Sequence, residues 1–171
     1  MDHDQHRLAS GWMSKGLSRV HADSSLTQCY ELMQEKRIRH LPVVDVAGNV
    51  LGILSDRDLQ RALKRASTRM GPDEGCYEFE EGATAQEYMS WPVQTVDDST
   101  PLQEVARLML KQKISALLVR NTEGGYIDGI LTTDDLLKAL VAVLSKAQGG
   151  ESLTLKGWSD WQASKIDRFL I

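Results

Sequence analysis

The feature that most constrains this chain is a repetition. Met13-Ser14 recurs as Met89-Ser90, an offset of 76. At the same offset Val20, Leu26, Leu32-Met33, Ile38, Leu41, Val43 and Gly48 meet Val96, Leu102, Leu108-Met109, Ile114, Leu117, Val119 and Gly124. One residue is gained near Asp128. Gly52-Ile53-Leu54, Asp58-Leu59 and Ala62-Leu63 then return at an offset of 77 as Gly129-Ile130-Leu131, Asp135-Leu136 and Ala139-Leu140. The period is too long and the copies too few for a solenoid, so the chain carries a duplicated supersecondary unit. A unit of about 55 residues is marginal alone. The expected solution packs the sheets of the two copies against each other about a pseudo-two-fold axis, leaving two related clefts between them.

Each copy reads β-α-β-β-α, an α/β (α+β) fold class. A short strand, residues 17–20 or 93–96, leads to a helix. Ser24 and Thr100 are the expected N-caps, with Pro101 at the first helical position and Gln103 completing a capping box. Leu26, Cys29/Tyr30 and Met33 form an apolar helical stripe, as do Leu102, Val105/Ala106 and Met109, so Tyr30 and these methionines are expected in the core. Two apolar runs then flank the turn residues Asp45 and Gly48-Asn49, and two more flank Asn121 and Gly124-Gly125, giving a hairpin per copy. Second helices run from 56 to about 64 and from 133 to about 144. The expected organisation is a flexible segment 1–9, a first motif 10–66, a linker 67–84 that Tyr77 and Phe79 help to pin, a second motif 85–145, and a tail 146–171. The tail contains a short amphipathic helix in which Trp158 and Trp161 cover either the module itself or a partner.

Composition narrows the function classes. The 171 residues are 42% hydrophobic and 26% charged, with 20 Lys plus Arg against 24 Asp plus Glu. This is globular composition with a net charge of −4, which argues against a general nucleic-acid or acidic-membrane binder. Cys29 and Cys76 form neither a disulfide framework nor a zinc ribbon, and Cys29 sits at a buried helical position. The beginning of the chain lacks the basic and apolar blocks of a signal peptide, and Leu136 to Leu144 is too short and too interrupted to span a bilayer. The expected compartment is the cytoplasm.

Two patterns carry chemistry. Gly52-Ile53-Leu54-Ser55-Asp56-Arg57-Asp58 and Gly129-Ile130-Leu131-Thr132-Thr133-Asp134-Asp135 each end a strand with Ser/Thr-x-x-Asp at a helix start. One such pattern is most simply a capping box. Two at equivalent places in a cleft-forming duplication favour a ligand whose hydroxyls the carboxylates accept. The basic segment Lys36-Arg37-Ile38-Arg39-His40 is expected to place positive charge beside the same cleft. His40 has no second ligand at metal spacing, His3 and His6 lie in a polar stretch expected to be disordered, and no P-loop, GxGxxG, GxSxG or HExxH pattern is present. A catalytic function is not expected.

Met13-Ser14, Arg37-Ile38-Arg39-His40-Leu41-Pro42-Val43-Val44-Asp45 and Gly52-Ile53-Leu54-Ser55-Asp56-Arg57-Asp58-Leu59 resemble a cystathionine-β-synthase (CBS) domain. The second copy is similar, so residues 10 to 145 resemble a tandem pair, or Bateman module. The resemblance implies a non-catalytic regulatory module, engaged in energy sensing or a related control. Its ligand is an adenosine compound (AMP, ADP, ATP or S-adenosylmethionine), and it often forms a homodimer. It implies that Ser55 with Asp58, and Thr132 with Asp135, hold ribose. Leu17, Ile38, Arg39 and His40, and Val93, Ile114, Ser115 and Ala116, would line adenine pockets. Arg57 matches a phosphate-binding position, with Arg37 a second candidate. In the second copy Leu118 replaces the proline and Asp134 the arginine, so the Arg57 side is expected to prefer more phosphate. The output is expected through another protein or through the module's own oligomer. Leu136, Leu140, Val143 and Leu144 look too apolar for solvent and favour a homodimer. The alternative is an interaction module in which both Ser/Thr-x-x-Asp patterns only cap helices.

Overall fold

The computed structural model describes residues 7–65 and 77–147. His3, His6, Cys76 and the tail with Trp158 and Trp161 lie outside these described residues. In the first copy β2 (Val20–His21) runs parallel to β3 (His40–Val44), which pairs antiparallel with β4 (Val50–Ser55). The second copy repeats this with β7 (Thr95–Asp97), β8 (Ala116–Arg120) and β9 (Ile127–Thr132). A two-residue strand, β1 (Ser14–Lys15), joins the second sheet along β9, giving the order β1-β9-β8-β7. Helices α1 (Leu26–Lys36) and α2 (Asp56–Ala62) belong to the first copy, and α4 (Leu102–Gln112) and α5 (Thr133–Ala147) to the second. A short helix, α3 (Ala85–Tyr88), precedes the second copy as the 3-10 turn Ala9–Gly11 precedes the first.

The hairpins fall where the turn residues place them. The Asp45 carboxylate accepts from the backbone N–H groups of Ala47 and Asn49 and from the Asn49 side chain, closing the first turn. Asn121 Oδ1 accepts from Gly124 N–H in the second. The apolar stripes also fall inward: Leu26, Cys29 and Met33 are buried in one core, and Val105 and Met109 in the other. Burial pushes the Cys29 thiol up to about 11, so it is an inert core thiol.

The segment ahead of each copy packs on the other copy. The Ser14 register partner is Ile130, and Ser90 bridges Ile53. Leu8 bridges Pro101, and Thr84 bridges Ser25, at equivalent positions. Ala9 and Trp12 therefore enter the second core, and Ala85 and Tyr88 the first. The repeated glycines report this exchange. A Cβ on Gly52 would lie 2.7 Å from Met89 Cγ, and one on Gly129 would lie 2.6 Å from Met13 Sδ. A side chain at either place would have to displace the crossing methionine.

Several expectations need correction. The α1 N-cap is Ser25, not Ser24, with a reciprocal capping box to Gln28. In α4 Pro101 occupies the N-cap itself rather than the first helical position, with no side-chain cap, so Thr100 and Gln103 form no box. The first strands begin three and two residues late, and the 17–18 and 93–94 stretches line clefts instead. Tyr30 is 45% exposed and packs against Phe79 instead of filling the core. Helix α2 ends at Ala62, and its chain continues into β5 (Leu63–Arg65), which pairs with β6 (Tyr77–Phe79). The expected linker thus contains a strand. Leu136 packs against the second core, and Leu137 takes its expected place among the exposed residues with Leu140, Val143 and Leu144. Ala9, at the end of the stretch expected to be flexible, is fully buried and donates its N–H to Thr100 O.

Candidate functional site

Both Ser/Thr-x-x-Asp patterns sit where the second strand of a hairpin, β4 or β9, gives way to a helix. Asp58 is buried, and its Oδ2 accepts from Ser55 N–H (2.8 Å) and Ser55 Oγ (2.5 Å) while Oδ1 takes the Arg61 guanidinium. Asp135 is also buried and repeats this with Thr132 N–H (2.9 Å), Thr132 Oγ1 (2.7 Å) and Lys138 Nζ (2.9 Å). The carboxylate half of the cap is therefore present in both copies, the return bond from Asp58 N–H to Ser55 Oγ completes it in the first, and each carboxylate also holds a cation one turn on. Arg61 and Lys138 were not among the expected site residues. The signal was available: they occupy equivalent repeat positions, three residues after each aspartate.

The two aspartates open onto separate clefts, each completed by the other copy. One cleft, of about 580 Å³, combines Ser55, Arg57, Asp58 and Arg61 with Val93, Lys113, Ile114, Ser115 and Ala116. The other, of about 280 Å³, combines Thr132, Asp134, Asp135 and Lys138 with Leu17, Arg37, Ile38 and Arg39. His40 lines both. The expected residues are thus brought together in two groups, but with crossed membership. Arg39 stays beside the Ser55–Asp58 motif of its own copy only through its backbone, its carbonyl accepting from Asp56 N–H at 3.0 Å; its side chain and that of Arg37 line the Asp135 cleft instead. The exchange of leaders explains this: residues 14–18 and 90–94 run across the opposite sheet before entering their own, and carry the cleft walls with them.

Arg39 forms a 2.5 Å ion pair with Asp134 across the boundary between copies. Arg37 and Lys113 are equivalent C-cap residues, both in the left-handed region at φ 53° and 55°. Among the described residues, the side chains of Arg37, Lys113 and Arg57 make no ion pair or hydrogen bond. His40 Nε2 lies 3.1 Å from Ser115 Oγ, joining the two copies between the clefts. Burial first, and then Arg39, lower the His40 pKa below its ordinary value, while Asp56, Asp58 and Asp134 oppose that shift. The imidazole is neutral near pH 7. Among the described residues no group of three His, Cys, Asp or Glu side chains is arranged to hold a metal, and no helix is long and apolar enough to cross a membrane.

Comparison with known proteins gives the same picture of a duplicated module. A family model for the CBS domain matches twice, over residues 9–65 and 85–142. A CBS domain-containing protein of Dictyostelium discoideum is 32% identical over 137 residues, covering 80% of this chain and 93% of the relative. Among solved structures, a CBS domain pair in complex with 5′-methylthioadenosine and S-adenosyl-L-methionine superposes with a TM-score of 0.63 at 25% identity, covering 78% of this chain and 94% of the other. A structure of CBSX2 in complex with AMP matches with a TM-score of 0.60 at 26% identity, covering 80% of this chain and 98% of that one.

Proposed function

The chain belongs to the CBS domain family as a tandem pair, and on that premise we propose that it is a non-catalytic regulatory module that binds adenosine-containing ligands in its two clefts. The observation that carries the proposal is the pairing of each buried aspartate, Asp58 or Asp135, with pocket walls supplied by the opposite copy. In this reading Ser55 with Asp58, and Thr132 with Asp135, take the ribose hydroxyls. The backbone and side chains of Val93 and Ile114 to Ala116 take the base in one cleft, and those of Leu17 and Ile38 to His40 take it in the other. Arg57 is the phosphate contact of the first cleft, and Arg37 lines the second. Related CBS pairs solved with 5′-methylthioadenosine, S-adenosyl-L-methionine and AMP support this choice of ligand class.

A ligand bridging two copies changes how they sit against each other, and that is a means of signalling to a partner protein. Soluble cytoplasmic action as a homodimer completes the reading. Leu137, Leu140, Val143 and Leu144 on α5 are all more than half exposed and supply a self-complementary apolar face. Light scattering should then give about twice the chain's 19.1 kDa.

A second reading is favoured by one specific observation: both aspartates are engaged as capping partners of their own helix starts. In that reading the clefts are empty and the chain is an interaction module. A thermal-shift series with AMP, ATP, 5′-methylthioadenosine and S-adenosylmethionine separates the two. Ligand at a hundred times its Kd should stabilise the folded state by about 2.7 kcal/mol. An unmoved melting curve with every compound supports the interaction module.

A further inference from the structure

Superposing the repeat on itself cancels most of the charge in the two clefts. Arg37 is equivalent to Lys113, Arg61 to Lys138, and Asp58 to Asp135. Two differences remain: Lys15, which lines the smaller cleft paired with Asp128 at 3.4 Å and has Trp91 as its equivalent, and one constellation of four residues. Where the larger cleft has Arg57 and Ser115, the smaller has Asp134 and Arg39, and these two are paired at 2.5 Å. The larger cleft therefore offers an anion two unpaired cations, Arg57 and Lys113. The smaller offers only Arg37 unpaired, since the Arg39 guanidinium is taken by an acid of the opposite copy. Volume runs the same way: about 580 Å³ against about 280 Å³. The smaller value lies just below the roughly 300–1,000 Å³ usual for small-molecule sites.

Resting on the functional reading above, we propose that the Arg39–Asp134 ion pair makes the Asp135 cleft selective for an adenosine ligand that carries no phosphate chain, whereas the Asp58 cleft takes the polyphosphate form. A phosphate entering the smaller cleft meets the Asp134 carboxylate and must take Arg39 away from it. A neutral or cationic 5′ substituent leaves the pair intact. Both side chains are partly solvated, at 55% and 37% exposure, so screening limits the discrimination to about tenfold rather than the larger factor a buried pair would give. The division of labour is built into the sequence at two positions and becomes effective only because the copies exchange their cleft walls.

The test uses the full chain and two probes, ATP and 5′-methylthioadenosine, titrated calorimetrically. Asp58→Ala leaves the smaller cleft as the competent site and Asp135→Ala the larger; Asp→Asn, which keeps an acceptor for the capping N–H, replaces either variant that fails to fold. The ratio of ATP to methylthioadenosine affinity should be about tenfold higher in Asp135→Ala than in Asp58→Ala. Adding Asp134→Ser to Asp58→Ala should raise ATP affinity severalfold and leave methylthioadenosine within twofold, because Arg39 is released. Equal ratios in the two single-site proteins, or an Asp134→Ser change that leaves ATP binding unmoved, would overturn the proposal while adenosine recognition itself stands. Absence of heat with both probes in the wild-type chain overturns the functional reading, and this inference with it.

Discussion

The two halves of this molecule agree in their cores and disagree at their clefts. Leu41, Val43 and Leu54 are fully buried in the first, and their equivalents Leu117, Val119 and Leu131 are fully buried in the second. The turn acceptors Asp45 and Asn121, the left-handed Arg37 and Lys113, and the capped Asp58 and Asp135 likewise correspond. Against this constancy stand Arg57 opposite Asp134, and Ser115 opposite Arg39. The second helices differ too. Helix α2 has seven residues and gives way to the β5–β6 hairpin, whereas α5 has fifteen and exposes an apolar face. A core residue is held by packing on all sides and tolerates little change, whereas a cleft residue faces solvent on one side and is free to diverge. The difference teaches that the copies share these scaffold positions while differing in the charges that face each cleft.

Breaking the equivalence at the aspartates should give the largest effect. Asp58→Ala and Asp135→Ala should each weaken the ligand at its own cleft by about 1.5–3 kcal/mol, ten- to a hundredfold, while leaving the other cleft intact. Calorimetry with a melting curve on the same sample checks this. Loss of the cap alone lowers stability by about 1 kcal/mol with affinity unchanged, and that outcome would favour the interaction module.

The crossing methionines give a test in which the halves should behave alike. Gly52→Ala drives a Cβ into Met89 and toward Ser90 O, and Gly129→Ala drives one into Met13 and toward Ser14 O, both oxygens lying at 3.0 Å. Each change should cost about 1–3 kcal/mol in denaturant unfolding. A loss in one variant and none in the other would show that one leader leaves its place more readily than its counterpart.

Helix capping should separate the halves again. Ser25→Ala removes the hydroxyl that accepts from Gln28 N–H, leaving the residue 25 backbone N–H to the Gln28 side chain, and should cost about 1 kcal/mol. Thr100→Ala removes no cap in α4 and should stay within about 0.5 kcal/mol.

The smallest effect concerns pH. Burial holds the His40 imidazole below its ordinary 6.5, so the unfolded chain takes up the proton first as pH falls. Stability from this residue is present above 6.5 and is lost progressively below it, until the folded form protonates as well. Helix α2 and the opposite copy supply the acids Asp56, Asp58 and Asp134 that oppose the shift, and Arg39 adds to it. His40→Gln should flatten the fall in melting temperature below pH 6.5. The second copy has Ala116 at this place and contributes no matching slope.

What the sequence by itself determined was the duplication, the β-α-β-β-α order, the hairpin turns and the two capped aspartates. Each follows from local pattern: period-2 and period-3.6 apolar residues, turn-forming Asp, Asn and Gly, and Ser/Thr-x-x-Asp at a helix start. Cap positions slipped by one residue because Ser24 and Ser25, like Thr100 and Pro101, are adjacent candidates that only the observed backbone distinguishes. The membership of the clefts lay beyond local pattern. Arg37 and Arg39 precede the Ser55–Asp58 motif by fewer than twenty residues, yet they face Asp135 nearly a hundred residues away. That crossing was decided by the tertiary exchange of the 8–15 and 84–90 leaders, which buries Ala9 and Ala85 in opposite cores. The leaders carry Ala9 and Ala85, Met13 and Met89, and Ser14 and Ser90 at matching places, so sequence spacing does not distinguish the exchange from packing each leader on its own copy. Only the pairing of Met13 with Gly129 and of Met89 with Gly52 in three dimensions does so.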